Sequence, residues 1–346
     1  MRVGILGTGA ISNKHAQAYK NIGFEVAACF NQTASRGREF ADRWGCEFVS
    51  DYKELCRYPN LDFIDVCTFP DFRLPAVDAC AETGRHIQVQ KPIATNLETA
   101  AQIVSTARRA GILVSVASQH RFDDSTIFLK RAIPAGRLGK ILQGDAYVKW
   151  FRNEEYYSRP IKGSWKTEGG GALINQAIHQ VDVLMYLLGP VAAVHGVWQL
   201  GARHRIESED VVNGLLEYAS GATGVVQAST AFWPGYTERI EIHGTKGSAI
   251  LAGDRLVSWD VQEDKEVNAA DPVPVAHDVA SGSSDPMAIS LTSFERQFRD
   301  FADAISTGRE PIINGEEGYR ALQIVLGIYS ACRQGARVKL GNQSFQ

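Results

Sequence analysis

The first third of the chain alternates short apolar runs with helical periodicity. Arg2-Val3-Gly4-Ile5-Leu6 reads as a strand, Ile11 to about Asn21 has helical spacing, and Glu25 to Phe30 reads as a second strand. The alternation continues through a strand at Phe63 to Thr68, a helix from about Phe72 to Thr83 and a strand at His86 to Val89. A capping box, Thr95-Asn96-Leu97-Glu98, then opens a helix to about Ala110, and Ile112 to Ala117 reads as a further strand. This predicts a doubly wound parallel sheet, whose ligands bind beyond the carboxyl ends of its strands. From Ile141 the pattern changes. Apolar runs at 141–150, 191–199, 211–218, 222–231, 237–243 and 248–251, separated by turns such as Ala219-Ser220-Gly221, predict a large, mostly antiparallel open sheet. One long helix at 171–188 is expected to cover one face of it, leaving the other face solvated or buried in an oligomer. After a polar, turn-rich surface connection at 261–290, helices are expected at about 291–307 and 315–334. The expected fold is α/β: an N-terminal Rossmann domain over 1–120 and a C-terminal α/β domain, for substrate binding and oligomerisation, over 121–346.

Composition narrows the chemistry. The chain has 346 residues, enough for two domains with cores of their own, and a net charge of −3 with no basic run leaves no electrostatic footprint for nucleic acid. No apolar run approaches the length of a membrane helix, so no membrane partner is expected. The six cysteines form no C-x-x-C pair and read as reduced thiols rather than disulfides or metal ligands. No metal site is expected. With no cleavage pattern after the first apolar run, the expected compartment is the cytoplasm.

The opening strand stops at Gly7-Thr8-Gly9-Ala10-Ile11-Ser12 and a helix follows, the strand, tight turn and helix of a dinucleotide site. Gly7 suits the turn. Gly9, with Ala10 and Ile11, leaves backbone amides at the helix start for a pyrophosphate. The second strand ends at Asn31-Gln32, where a carboxylate would select NAD and a neutral residue with an arginine would select NADP. The amide of Asn31 suits a ribose hydroxyl, and Arg36 is the nearest cation to reach back, so both cofactors stay open with a lean to NAD. Thr68-Phe69 and Gln90-Lys91-Pro92 stand at the carboxyl ends of later strands, where cofactor and substrate meet.

In the second half, three glycines, Gly169 to Gly171, let a backbone pass close to another molecule and feed a helix on which Asn175, His179 and Asp182 fall at i, i+4 and i+7. One polar stripe on an otherwise apolar helix fits a cavity wall. Asp182 either bonds the second ring nitrogen of His179 or faces solvent. Tyr156, Tyr157, Trp165 and Lys166 lie on the preceding loop, where Tyr157 and Trp165 suit a sugar ring.

The opening V-G-I-L-G-T-G-A-I, the Lys91-Pro92 dipeptide, G-R-L-G-K-I at 136–141, the stretch from Gly169 to Asp182 and G-T-K-G-S at 244–248 together resemble the Gfo/Idh/MocA family of sugar and inositol dehydrogenases, over nearly the whole chain. The resemblance implies a nicotinamide cofactor, a carbohydrate or polyol substrate, and a homodimer or homotetramer. Three positions depart from its pattern. Gln90 stands where Glu precedes the Lys-Pro, Thr68-Phe69-Pro70 replaces Thr-Pro-Asn, and Asn175 replaces an Asp four residues before the active-site His. The expected reaction moves a hydride between a secondary hydroxyl of a sugar, glycoside or cyclitol and NAD(P). His179 is then the base, Lys91 the cation on the hydroxyl, with a lysine base as the competing assignment, and Asn175 orients substrate or imidazole. The alternatives are an NAD-dependent glycosidase using transient oxidation, and a sugar or cofactor sensor without catalysis.

Overall fold

The computed structural model describes residues 1–159, 161–262, 290–341 and 345. The connection expected at 261–290 lies almost wholly outside the described residues. The chain forms two compact units. One holds Met1–Gln119 with Leu291–Arg320, and the other holds the described residues of His120–Ser290 and Ala321–Gln343.

In the first unit the strands are β1 (Arg2–Leu6), β2 (Glu25–Phe30), β3 (Glu47–Phe48), β4 (Phe63–Val66), β5 (His86–Val89) and β6 (Val114–Val116). They form one sheet in the order β3-β2-β1-β4-β5-β6, with every pair parallel. Helices α1 (Ala10–Asn21), α2 (Ala34–Trp44), α3 (Tyr52–Arg57), α4 (Arg73–Thr83) and α5 (Leu97–Ala110) connect them. Strands covered on both faces need no polar alternation, and Val3, Ile5, Leu6, Phe63, Ile64 and Val66 are fully buried. The doubly wound parallel sheet is therefore present.

In the second unit, α6 (Asp124–Ala132), β7 (Ile141–Lys149), α7 (Glu154–Tyr157), α8 (Trp165–Glu168) and α9 (Ile178–Leu188) precede β8 (Val191–Leu200), β9 (Glu209–Tyr218) and β10 (Thr223–Ser229). Then come β11 (Arg239–Gly244), β12 (Gly247–Ala252) and β13 (Arg255–Val261). Together with β14 (Val338–Lys339) they make an eight-stranded sheet in the order β13-β12-β11-β7-β10-β9-β8-β14. Only the β7–β10 pair is parallel, so the mostly antiparallel sheet holds, with β13 and β14 as edges that sequence had not marked. The motifs at 136–141 and 244–248 clasp each other: Lys246 donates its amide to the Leu138 carbonyl at 3.0 Å and Thr245 to that of Lys140 at 2.9 Å.

Helix α10 (Thr292–Thr307), assigned from sequence to the second domain, packs in the first unit. Its Phe298 stacks on Tyr19 of α1 at 4.3 Å, and Phe301 meets Phe63 of β4 at 5.1 Å. The last long helix, α11 (Gly315–Gln334), follows it.

The long helix expected at 171–188 is not uniform. Leu173–Ala177 is a π-helical turn and only Ile178–Leu188 is α-helical. A π turn inserts a residue into the helical count, so the i, i+4, i+7 stripe does not survive it.

Candidate active site

In the first unit the expected cofactor residues gather at the carboxyl ends of β1, β2, β4 and β5. Gly7 takes φ +97° and donates its amide to the Phe30 carbonyl at 2.8 Å, which closes the turn. A side chain there would press on Thr68, whose Cγ2 lies 2.9 Å from the position of a Cβ. Gly9 is the N-cap of α1, no side chain caps the helix, and a Cβ on Gly9 would meet nothing within 4 Å. Open space in front of uncapped helical amides fits a pyrophosphate. The Thr68 hydroxyl is buried beside this turn with no hydrogen-bond partner among the described residues, a second sign that a polar group belongs there. Asn31 donates to the Thr8 hydroxyl at 2.7 Å and accepts the Thr33 amide at 2.8 Å, so its side chain shapes the turn itself. Gln32 and Arg36 are exposed, as is Phe69, and the Arg36 carbonyl accepts from Thr8.

Lys91 is half-buried just past β5, ahead of the buried Pro92, and the Lys91–Pro92 peptide is cis. Its carbonyl, and that of Thr68, accept from Nη2 of Arg73 at 3.3 Å. Burial pulls the Arg73 guanidinium down to about 9. Gln90 is buried, and its amide nitrogen lies 2.9 Å from Nε2 of His15. The Gln90 side chain is thus turned inward, onto His15.

The second unit carries His179. It begins the second residue of α9 and is half-buried. An aromatic neighbour of its ring, unanticipated from sequence, is His120, with ring centroids 5.3 Å apart at 82°. His120 Nδ1 lies 2.8 Å from Oδ2 of Asp123. Burial works to lower the His120 pKa, but the carboxylates of Asp123, Glu238 and Asp254 outweigh it, and the net direction is upward. The two imidazoles meet edge to face, and one of them is held by a carboxylate. A clue was present in sequence: Gln119-His120-Arg121 directly follows the last strand of the parallel sheet.

The glycines preceding this helix serve the protein's own chain. A Cβ on Gly171 would stand 1.8 Å from the backbone oxygen of Glu209, and one on Gly170 would stand 2.4 Å from the Tyr329 hydroxyl. The Glu209 carboxylate accepts the amides of Gly171 and Leu173, each at 2.8 Å, and the Tyr329 hydroxyl at 2.7 Å. An anion thus already occupies the start of this helix, and it comes from β9. Burial pushes Glu209 up to about 7, against the downward pull of Tyr329 and the two amides. A carboxyl raised on folding adds stability that is complete below its unfolded value and is lost as pH rises through the folded one. Thermal midpoints should therefore fall from about pH 5 to about pH 8, and Glu209→Gln should flatten that fall; an equal slope in both proteins would refute it.

The polar stripe is dispersed. Asn175 donates to the Gly170 carbonyl at 3.1 Å. Asp182 does not face solvent. It is buried and takes two hydrogen bonds from Arg121, at 2.8 and 2.6 Å. Breaking a buried pair leaves an uncompensated charge, so Asp182→Ala should cost about 3–5 kcal/mol by urea denaturation. A loss within about 0.5 kcal/mol would show the pair to be idle.

On the loop before the glycines, Tyr157 bonds the Thr230 hydroxyl at 2.7 Å and lies 4.4 Å from the His204 ring. Trp165 packs against Trp198 and Tyr329, and its indole N–H donates to the Glu207 carbonyl at 3.0 Å. Both aromatic groups are thereby engaged within the unit.

Residues 1–118 match the family described as Oxidoreductase family, NAD-binding Rossmann fold, and residues 127–250 match the GFO/IDH/MocA C-terminal domain. The chain belongs to the Gfo/Idh/MocA family. It is a nicotinamide-dependent dehydrogenase acting on a CH–OH group. Among Gfo/Idh/MocA relatives, the myo-inositol 2-dehydrogenase of Thermotoga maritima is 26% identical, over 98% of each chain. The 1,5-anhydro-D-fructose reductase of Ensifer adhaerens is also 26% identical, again over 98% of each. A solved structure, the WlbA dehydrogenase from Bordetella pertussis in complex with NADH and UDP-GlcNAcA, superposes with a TM-score of 0.88 at 26% identity, covering 99% of this chain and 98% of that one. Among the described residues no helix is long and apolar enough to cross a membrane.

Proposed function

We propose that this enzyme moves a hydride between a secondary hydroxyl of an unphosphorylated sugar, glycoside or cyclitol and NAD, with Lys91 and His179 handling the hydroxyl. The observation carrying most weight is Lys91 itself, half-buried at the end of the strand next to the one that brings Thr68 to the open glycine turn. The relatives' inositol and anhydrosugar substrates support the carbohydrate class.

The cofactor supplies the hydride acceptor. The protein's share is binding and proton handling. The amides at the start of α1 would hold the pyrophosphate, and Asn31, just past β2, would stand beside the ribose. The Lys91 ammonium stabilises negative charge developing on the substrate oxygen. His179 takes the hydroxyl proton, and His120, steadied by Asp123, offers it a route onward. Val197 and Leu215, 67% and 54% exposed on β8 and β9, support a homodimer or homotetramer formed through the open sheet.

The test is a panel of inositols, aldoses, anhydrosugars and glycosides with NAD and with NADP, followed by nicotinamide absorbance and by product analysis. Oxidised sugar with stoichiometric reduced cofactor is expected. Cleaved glycoside without reduced cofactor would point instead to redox-assisted hydrolysis, and binding without turnover to a sensor.

A further inference from the structure

The residue before Lys91 ends a buried chain of hydrogen bonds whose directions can be worked out one by one. Gln88 donates its amide to the Tyr19 oxygen at 3.4 Å, so Tyr19 spends its hydrogen on Oδ2 of Asp65, 2.9 Å away. The same Oδ2 lies 2.7 Å from Nδ1 of His15. An oxygen already accepting from Tyr19 must accept here too, so Nδ1 carries the ring hydrogen. A neutral imidazole then presents a lone pair at Nε2, and the Gln90 amide donates to it at 2.9 Å. His15 is fully buried, with Phe294 and Phe298 of α10 at 5.2 and 5.0 Å.

With the ring hydrogen on Nδ1, position 90 must donate to Nε2, as an amide does and a carboxylate does not. A carboxylate would set lone pair against lone pair, and the contact would close only if one more proton entered, on His15 or on the carboxylate itself. The backbone is held as well: the Gln90 amide donates to Val66 at 3.0 Å, and the Lys91 carbonyl accepts from Arg73. Helix α1, whose first turn faces the cofactor, is thereby tied through His15 to the residue next to Lys91.

We infer that His15 and Gln90 are positioning residues for Lys91, and that the Asp65–His15–Gln90 relay fixes the stretch of backbone from which the lysine extends. The inference rests on the assignment of Lys91 to the chemistry. The titratable groups around His15 are Asp65 and Cys67 from β4 and Tyr19 from α1, while β5 brings the neutral Gln88 and Gln90 and α10 brings Phe294 and Phe298. Burial holds Tyr19 and Cys67 well above their ordinary values, so neither titrates near neutral pH.

The test compares kcat against pH for the wild type, Gln90→Glu and Gln90→Leu, using NAD and the panel's best sugar or cyclitol. Gln90→Glu should match the wild type on the acid side and lose at least about tenfold on an alkaline limb that begins at lower pH than that of the wild type, as the added proton leaves. Gln90→Leu, which donates in no state, should lose about tenfold at every pH with KM for NAD unchanged. A Gln90→Glu profile like that of the wild type overturns the relay. Lys91→Ala separates the two ideas: an active Lys91→Ala enzyme removes the lysine assignment, whereas an inactive one beside an unaltered Gln90→Glu profile removes only the relay. Should Gln90→Glu fail to fold, nitrogen NMR of the wild-type His15 ring decides. Hydrogen on Nδ1 supports the relay, and hydrogen on Nε2 overturns it.

Discussion

Replacing His179 with alanine is expected to lower kcat by about two to four orders of magnitude, the usual worth of a positioned base. NADH affinity should stay within about twofold, because the glycine turn, Thr68 and Lys91 belong to a different compact unit from His179. The size of the effect follows from the work assigned to the imidazole. Removing it leaves the hydroxyl proton to water or to His120, whose ring stands 5.3 Å away and is already engaged with Asp123. Single-turnover reduction of NAD, followed alongside NADH binding by fluorescence, separates the chemical step from cofactor affinity. Turnover equal to the wild type would transfer the base role to Lys91.

Gly171→Ala is the second large effect, and it falls on the fold rather than the chemistry. The new methyl would sit 1.8 Å from the Glu209 carbonyl oxygen and 2.9 Å from the Ser208 hydroxyl. Backbone of β9 cannot swing aside as a flexible side chain would. Glu209 is moreover bonded to Gly171, Leu173 and Tyr329, so displacing it strands a buried carboxylate. A destabilisation of at least about 3 kcal/mol is expected, visible as a lowered melting transition by circular dichroism or as insoluble protein. A variant melting with the wild type would mean that the glycine stretch has slack the packing denies it.

Much of this was legible in the residues. The parallel sheet announced itself because its strands are apolar on both faces and its first turn needs glycine at Gly7. The antiparallel sheet was readable from turns at regular spacing. The short strands Glu47–Phe48 and Val338–Lys339 were not, since two residues carry no period and their pairing is decided by neighbours distant in sequence. Of the candidate site, Lys91 and His179 were chosen by residue type beside glycine and proline punctuation, whereas the helical stripe through Asn175 and Asp182 assumed a regular helix, and the π turn broke it. Partners separated by long stretches of chain leave no mark in a local pattern. Arg121 with Asp182, Glu209 with Gly171 and His15 with Gln90 all belong to that class.

The return of α10 to the first unit has a consequence for synthesis on the ribosome. The aromatic layer over His15, Tyr19 and Phe63 is finished by Phe294, Phe298 and Phe301, and these leave the ribosome only after the whole stretch from His120 to Ser290. At ordinary elongation rates that delay is roughly ten to thirty seconds. The nascent nucleotide-binding half thus waits, with its buried relay unsealed, until most of the other half has been made.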